Sequence, residues 1–460
     1  MKCLVPIIWL LLAADLILVA CAPEGARHIS RYQPTGLPPV MPSDDFTAYI
    51  DATRARVIAV NEAAGTPLDP IEVAAVSPFE FRPRRGQARC NQGTVADYDK
   101  GVLLIHGLND TPYSMWDLAG RFSKACYMVR ALLLPGHGTV PGDLLEVGLP
   151  EWREAVARAI SSFRGQVDRL VIVGFDIGAN LALDAGMNPS LPPELELDGI
   201  VMLAPGFLYE PPSFAPAAAE PGGDALWGDV FERRDGLRYN SVAKPSIAAA
   251  NTLGGEQFAR EAPLHIPLFI VASADDAVAD PNRVREWFCR QPTTPRRLIW
   301  YTRYPCRPMP ACQCTVRSRD PNLDRRTSCV VNRSAAHNLD FNRDPRELTR
   351  SIPKNCERGD RLRANDGILD LAHIALLAAP DNPRYGASSG RRDCLHYSWE
   401  RETPEGQVCV GDREGEGVHY LRFGETSSGN IQSYILRRLT YNPDFDFMAT
   451  AILDFLEKTD

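Results

Sequence analysis

Chemistry in this chain is most legible at an aspartate placed in a sharp turn. Asp176 is the centre of Gly174-Phe175-Asp176-Ile177-Gly178. The β-branched run Leu170-Val171-Ile172-Val173 precedes it, and the small-residue stretch Ala179-Asn180-Leu181-Ala182-Leu183 follows. This pattern predicts strand, tight turn and helix, with glycines where two backbones must pass close together. A carboxylate is already ionised at neutral pH and needs no base to act as a nucleophile. It can displace a leaving group from a saturated carbon and form an alkyl ester. Attack on an ester carbonyl would give a mixed anhydride, a high-energy intermediate, so ordinary serine-type ester cleavage is disfavoured.

The elements that would position such a group can be read around it. Val102-Leu103-Leu104-Ile105 predicts a buried strand ending in His106-Gly107-Leu108, and Ala131-Leu132-Leu133-Leu134 a second one running into Pro135-Gly136-His137-Gly138. Pro267-Leu268-Phe269-Ile270-Val271-Ala272 predicts a third, leading to Ser273-Ala274-Asp275-Asp276. Far downstream, Leu371-Ala372-His373-Ile374 sets a histidine among apolar neighbours. Read alone, His373 fits a buried structural histidine as well as a base, and Asp275-Asp276 fits a turn after a strand. His337 is the rival histidine, in an irregular Arg-rich stretch.

In content and order, Ile105-His106-Gly107, Leu134-Pro135-Gly136-His137-Gly138, the Asp176 turn, Asp275-Asp276 and Ala372-His373-Ile374 resemble one branch of the α/β-hydrolases. That branch holds monoacylglycerol lipases, thermostable carboxylesterases and serine-aminopeptidase-like hydrolases. The resemblance covers roughly residues 100–380. It implies an α/β fold with a mostly parallel central sheet and helices on both faces, and a nucleophile elbow at Gly174–Gly178. It also implies His373 as base and Asp276 as the acid that orients it, with Asp275 as the alternative. The N–H groups of Leu108 and Ile177 become the oxyanion hole, with His106 and Gly107 in the oxyanion loop.

The departure is Asp176, where that branch has serine. Haloalkane dehalogenases and epoxide hydrolases of the same superfamily do use an aspartate, forming an ester that histidine-activated water hydrolyses. Dehalogenases place tryptophan after it, whereas this chain has Ile177; epoxide hydrolases read His-Gly-x-Pro, whereas this chain reads His106-Gly107-Leu108-Asn109. Epoxide hydrolases also carry cap tyrosines; Tyr209 and Tyr239 lie in the expected cap, with no sequence cue to their placement. The preferred reading is hydrolysis of a small, largely apolar organic substrate through a covalent Asp176 ester. One alternative is a carboxylic-ester or lipid hydrolase using directly activated water. The other is a catalytically silent lipoprotein that binds a ligand or partner. No cofactor is expected, and Cys312-Gln313-Cys314 lacks the further Cys/His spacing of a metal site.

The ends and composition frame this domain. Two apolar runs, Leu4 to Leu12 and Leu16 to Ala20, interrupted near Asp15 and ending in Leu18-Val19-Ala20-Cys21, predict an export signal over residues 1–20. The ending resembles a bacterial lipobox, which implies cleavage before Cys21 and its diacylation. Ala22 after it implies the outer membrane, with the globular part in the periplasm. The expected partners are therefore a small-molecule substrate and a membrane, through the lipid anchor. A formal net charge of −8 argues against nucleic acid.

Residues 21–42 read as a Pro/Gly-containing tether and 43–460 as one elaborated domain, with a cap insertion at 205–265. Ser43 can cap a helix carrying Phe46, Ile50 and Val57 on one face. A second insertion, 303–365, carries thirteen arginines and one lysine against seven acids, plus five cysteines. It reads as a solvated, cross-linked decoration or as a recruiter of anions. The ten cysteines beyond Cys3 and Cys21 suggest disulfides, Cys394 with Cys409 among the candidates. Residues 379–386 read as extended and Pro-rich, and about Phe445 to Glu457 as an amphipathic helix.

Overall fold

The computed structural model describes residues 30–83, 90, 98–187, 195–209, 226–229, 236–260, 264–291, 295–301, 330–333, 371–386, 400–403, 406–409, 421–424 and 435–459. Its centre is an eight-stranded sheet. In chain order the strands are β1 (Phe79–Phe81), β2 (Tyr98–Ile105), β3 (Met128–Leu132), β4 (Val167–Phe175) and β5 (Glu196–Leu203). A two-stranded antiparallel ribbon follows, β6 (Trp227–Asp229) with β7 (Val242–Ala243). The sheet then resumes with β8 (Leu268–Ser273), β9 (Arg296–Tyr301) and β10 (Val330–Arg333). Spatially the order is β1-β3-β2-β4-β5-β8-β9-β10, and only the β1 edge runs antiparallel.

The strands read as continuous apolar runs because both faces are covered. Leu103, Ile105, Ile172, Met202 and Ile270 point to one layer, shared with helices α1 (Phe46–Ala63), α4 (Leu149–Ser161), α5 (Ile177–Gly186), α6 (Lys244–Ala259) and α7 (Pro281–Arg290). Their alternates Val102, Leu104, Val173, Val201 and Val271 point to the other, shared with α3 (Trp116–Lys124) and α8 (Phe445–Thr459). The period of two along each strand thus divides one sheet between two cores. The short helix α2 (Pro70–Val76) follows α1, with a reciprocal cap between Asp69 and Glu72.

Several local expectations shift. Helix α1 is capped by Asp45, whose side chain accepts from Ala48 N–H at 3.0 Å; Ser43 lies too early in the chain and instead donates to Asp45 O. Strand β3 ends at Leu132, so Leu133 and Leu134 belong to the following loop. Residues 379–386 are turned rather than extended, because Asn382 Oδ1 accepts from Arg384 N–H and Tyr385 N–H, both at 2.9 Å, and closes the chain on itself. From Ser30 onward the expected tether is packed against the domain (described below). A disulfide joins Cys90 to Cys126, and Cys289 is also disulfide-bonded. The signal with Cys21, His337, Cys394 and all of the basic insertion except β10 lie outside the described residues.

The elbow glycines are required by contact. A Cβ on Gly174 would lie 2.0 Å from Gly178 O, and one on Gly178 would lie 2.3 Å from Ile105 O. Both obstacles are backbone and cannot rotate away. Gly178→Ala is therefore expected to destabilise the fold by about 3 kcal/mol or more, read as a lower urea midpoint; a variant within 0.5 kcal/mol (about the effect of a surface change) would contradict this packing.

Candidate functional site

The site forms where β2, β4 and β8 end. Asp176 leaves β4 with φ 55° and ψ −120°, a conformation that L side chains rarely adopt. Its amide donates to Leu203 O at 2.9 Å, and its carbonyl receives Ala179 N–H at 3.0 Å, so β5 and the first turn of α5 hold the strain in place. The residue is only 4 % exposed. Its two oxygens have different surroundings. Oδ2 accepts the Leu108 N–H at 2.8 Å, and the Ile177 N–H also favours the carboxylate. Oδ1 has no hydrogen-bond partner and faces His373 Nε2 at 3.7 Å.

Gly107 makes the Leu108 contact possible. A Cβ there would meet the Asp176 Cβ at 2.9 Å and Oδ2 at 3.1 Å. Burial pushes the Asp176 carboxyl above the usual carboxylate range, opposed by the nearby His373 and the Leu108 N–H.

His373 opens a 3-10 turn, His373–Leu377, and is 3 % exposed. Its Nδ1 lies 2.6 Å from Asp276 Oδ2, which fixes Nδ1–H as the donor and leaves Nε2 turned toward Asp176. Asp276 Oδ1 accepts from Val278 N–H at 2.8 Å and Ala279 N–H at 3.0 Å, so the carboxylate is itself held by its loop. The structure thus brings Asp176, His373 and Asp276 together, and it is Asp276 rather than Asp275 that meets the ring. The histidine segment is anchored from α3 and from the chain before α8. Asp117 Oδ2, on α3, accepts from Ala379 N–H at 2.7 Å and Asn382 Nδ2 at 2.8 Å, and Ala378 O accepts from Asn442 N–H.

His106 and His137 brace the Leu108 loop. The His106 Nε2 accepts Leu134 N–H at 2.9 Å while Nδ1–H faces Gly107 O at 2.8 Å. The His137 Nε2 accepts Asn109 N–H at 3.2 Å while Nδ1–H faces the carbonyls of Leu134 and Pro135. Each ring is pinned as the neutral Nδ1–H tautomer, because the other nitrogen must accept. Burial pushes His106 down to about 4 and His137 to about 3.

Sequence reasoning could not place Tyr209, although its type marked it. It is 5 % exposed, and its hydroxyl is set against the Asp176 carboxylate, close enough to favour that charge by hydrogen bonding although just outside ideal hydrogen-bond geometry, and it feels the Asp276 charge as well. Burial and the Asp176 charge hold the phenol well above its usual range, hence protonated. Its backbone is fixed by Asn251 Oδ1 at 2.9 Å and by a bridge to Ala279, in the loop that holds Asp276. Tyr239 stands elsewhere, stacked on His137 at 6.1 Å with its N–H on Asn109 O. Among the described residues no group of three or more His, Cys, Asp or Glu could hold a metal, and no described helix is long and apolar enough to cross a membrane.

The pinned histidines predict a pH dependence. The unfolded chain takes up both protons near pH 6.5, whereas the fold withholds them until about 4 and 3. In that window the unfolded state binds more protons, so stability falls as pH drops below about 6.5, by up to about 2.7 kcal/mol per pH unit for two groups. Asp176 acts with the opposite sign, since protonation relieves its buried charge. His106→Gln is expected to remove about half of the histidine slope, read by urea unfolding from pH 7 to 4.5. An unchanged slope would mean that His106 is not held neutral.

Comparison with known proteins agrees with this architecture. Residues 102–349, over half of the chain, match the alpha/beta hydrolase family. A stretch of 83 residues is 34 % identical to the thermostable monoacylglycerol lipase of Bacillus sp. (strain H-257), covering 18 % of this chain and 33 % of that protein. The chain therefore matches about a third of this relative's length. Among solved structures, a metagenome-derived lipolytic enzyme of the LipS and LipT study aligns with 24 % identity and a TM-score of 0.41, over 49 % of this chain and 87 % of that one. A soluble variant of the Saccharomyces cerevisiae monoglyceride lipase aligns with 16 % identity and a TM-score of 0.38, over 49 % and 81 %. The chain belongs to the alpha/beta hydrolase family.

Proposed function

We propose that this hydrolase-family protein acts on a small, largely apolar organic substrate through a covalent ester on Asp176. The observation that carries the reading is the division of labour between the two Asp176 oxygens. Oδ2 already occupies the Leu108 N–H, the donor that a serine hydrolase would keep for its substrate carbonyl. Oδ1 is buried, takes no backbone hydrogen bond and faces His373, with the Tyr209 hydroxyl beside the carboxylate, which leaves it available for attack. An ester carbonyl has no room in a hole filled by the enzyme's own carboxylate, so the monoacylglycerol lipase relative does not transfer its chemistry here. The membrane anchor through Cys21 stays part of this proposal, as the route by which an apolar substrate meets the site.

In the first step Oδ1 attacks a saturated carbon, the bond to the leaving group breaks, and the alkyl ester forms. In the second, His373 Nε2 takes a proton from water, whose oxygen adds to the Asp176 carboxyl carbon. The negative charge develops on Oδ2, facing the Leu108 and Ile177 N–H groups. Collapse expels the alcohol oxygen, which takes the proton from His373, and leaves Asp176 as a carboxylic acid. Tyr209 favours an oxygen leaving group. A halide leaves without a proton, whereas an alkoxide needs one, and a phenol held protonated beside Asp176 supplies it. The acid proton of Asp176 then restores the phenol. A strained cyclic ether fits this balance, with water consumed and a diol released.

Single turnover of 1,2-epoxyhexane in heavy-oxygen water is expected to put unlabelled oxygen into the first product. His373→Gln should accumulate an adduct of protein plus epoxide in the intact mass, and Asp176→Asn none. Label in the first product would favour directly activated water. Tyr209→Phe should slow ester formation from the epoxide at least about a hundredfold, the usual scale of a lost general acid, and leave 1-bromohexane nearly unaffected. With its buried charge gone, Asp176→Asn is also expected to raise the unfolding midpoint at neutral pH.

A further inference from the structure

Residues 30–42 lie outside the stretch that matches the family, yet they pack on the supports of the site. Ser30–Tyr32 form a 3-10 turn whose Tyr32 ring meets Trp227 of β6 edge-on at 5.3 Å. The Gln33 backbone lies flat on Gly142, where a Cβ would stand 2.2 Å from the Gln33 carbonyl oxygen. Thr35 donates to Asp143 Oδ1 twice, from its N–H at 2.7 Å and its hydroxyl at 2.8 Å. Thr139 donates to Asp143 Oδ2 at 2.6 Å. Farther along, Pro38 O accepts from Arg56, and Val40 and Met41 pack on the core.

These contacts lead to the Leu108 loop by two routes. Through the core, Thr35 holds Asp143, Asp143 holds Thr139, and Thr139 closely follows His137, whose Nε2 accepts the Asn109 N–H. Through the cap, Tyr32 holds Trp227 and β6 pairs with β7. Just before β7, Tyr239 donates its N–H to Asn109 O at 2.8 Å, and Arg238 pairs with Asp110 at 3.1 Å. Asn109 itself has φ 60°, a strained state that persists only where the surroundings over-determine it.

We propose that residues 30–42 are a positioning strap for the reaction: by gripping Asp143 and Trp227 together, they clamp the Leu108–Asp110 loop between core and cap and so aim the Leu108 N–H at Asp176 Oδ2. The inference rests on the proposed role of Leu108 as an oxyanion donor. Thr35 is its hinge pin, because two charge-assisted bonds to one carboxylate oxygen outweigh ordinary loop contacts. A donor displaced by about 1 Å costs on the order of a hundredfold in rate, and that cost falls on the step in which the oxyanion develops.

The test uses the full chain with Thr35→Val, and Thr35→Ser as the conservative variant, reacted with 1,2-epoxyhexane in single turnover. Ester formation and ester hydrolysis are followed separately by intact mass, and amide exchange is followed over residues 106–112 and over β4. Thr35→Val is expected to slow hydrolysis at least tenfold, to change ester formation less than threefold, and to speed exchange over 106–112 but not β4. Thr35→Ser should restore all three. Equal slowing of both steps, unchanged hydrolysis, or unchanged exchange over 106–112 would overturn the strap's positioning role. No ester in any variant would overturn the covalent reaction and the catalytic role of the strap with it; faster exchange over 106–112 would still show the mechanical link, so the two failures are distinguishable.

Discussion

The contact on which the rest depends is the 2.8 Å hydrogen bond from Leu108 N–H to Asp176 Oδ2. It joins the loop after β2 to the turn after β4, and both are strained: Asn109 and Asp176 each carry positive φ. Neither conformation is stable alone. Gly107 removes the Cβ that would separate them, Gly174 and Gly178 let the elbow close, and the two neutral histidines supply acceptors for the buried N–H groups of Asn109 and of Leu134 in the neighbouring loop. The bond also sets the chemistry, since it commits one carboxylate oxygen to the backbone and leaves the other free.

Burial works in two directions around this contact. It keeps His106 and His137 neutral, which their acceptor roles demand, and it raises Asp176, whose reactive form is charged. The nearby His373 and the backbone N–H groups offset the second effect. A carboxylate with few hydrogen bonds to its attacking oxygen is poorly solvated and correspondingly nucleophilic. His373 faces the buried Oδ1 and Tyr209 lies against the same carboxylate, held by different elements, the tyrosine by the Asp276 loop and Asn251, the histidine by α3 and the C-terminal segment.

Much of this was legible in the sequence. The mostly parallel sheet and the elbow glycines follow from local pattern, whereas the joint roles of Asp176, His373 and Asp276 come from the family resemblance of motifs in order, and the sheet brings those residues together. The resemblance favours Asp276 over its neighbour Asp275, and the turn geometry that makes the choice brings Asp276 to the ring. Tyr209 was visible as a residue and invisible as a neighbour of Asp176: its placement depends on a bridge to Ala279, far along the chain. The Cys90–Cys126 pairing and the Asp45 cap were likewise choices among near-equivalent residues. The packed segment 30–42 escaped notice because its contacts are backbone on Gly142 and single side chains on Asp143 and Trp227, with no periodicity to announce them.

The anchoring of the histidine segment carries a consequence of its own. Asp117 grips Ala379 and Asn382, and Asn442 grips Ala378, so the register of His373 is set by partners on α3 and beside α8. Tyr301, where β9 ends, joins the same anchor: its hydroxyl donates to Asp444 Oδ2 at 3.1 Å, and Asp444 N–H donates to Asn442 Oδ1 at 2.9 Å. Both ends of the intervening stretch, Tyr301 and the histidine segment, are thus fastened to the same few residues before α8, so a change at Asn442 or Asp444 would be felt by the sheet edge and by the imidazole together.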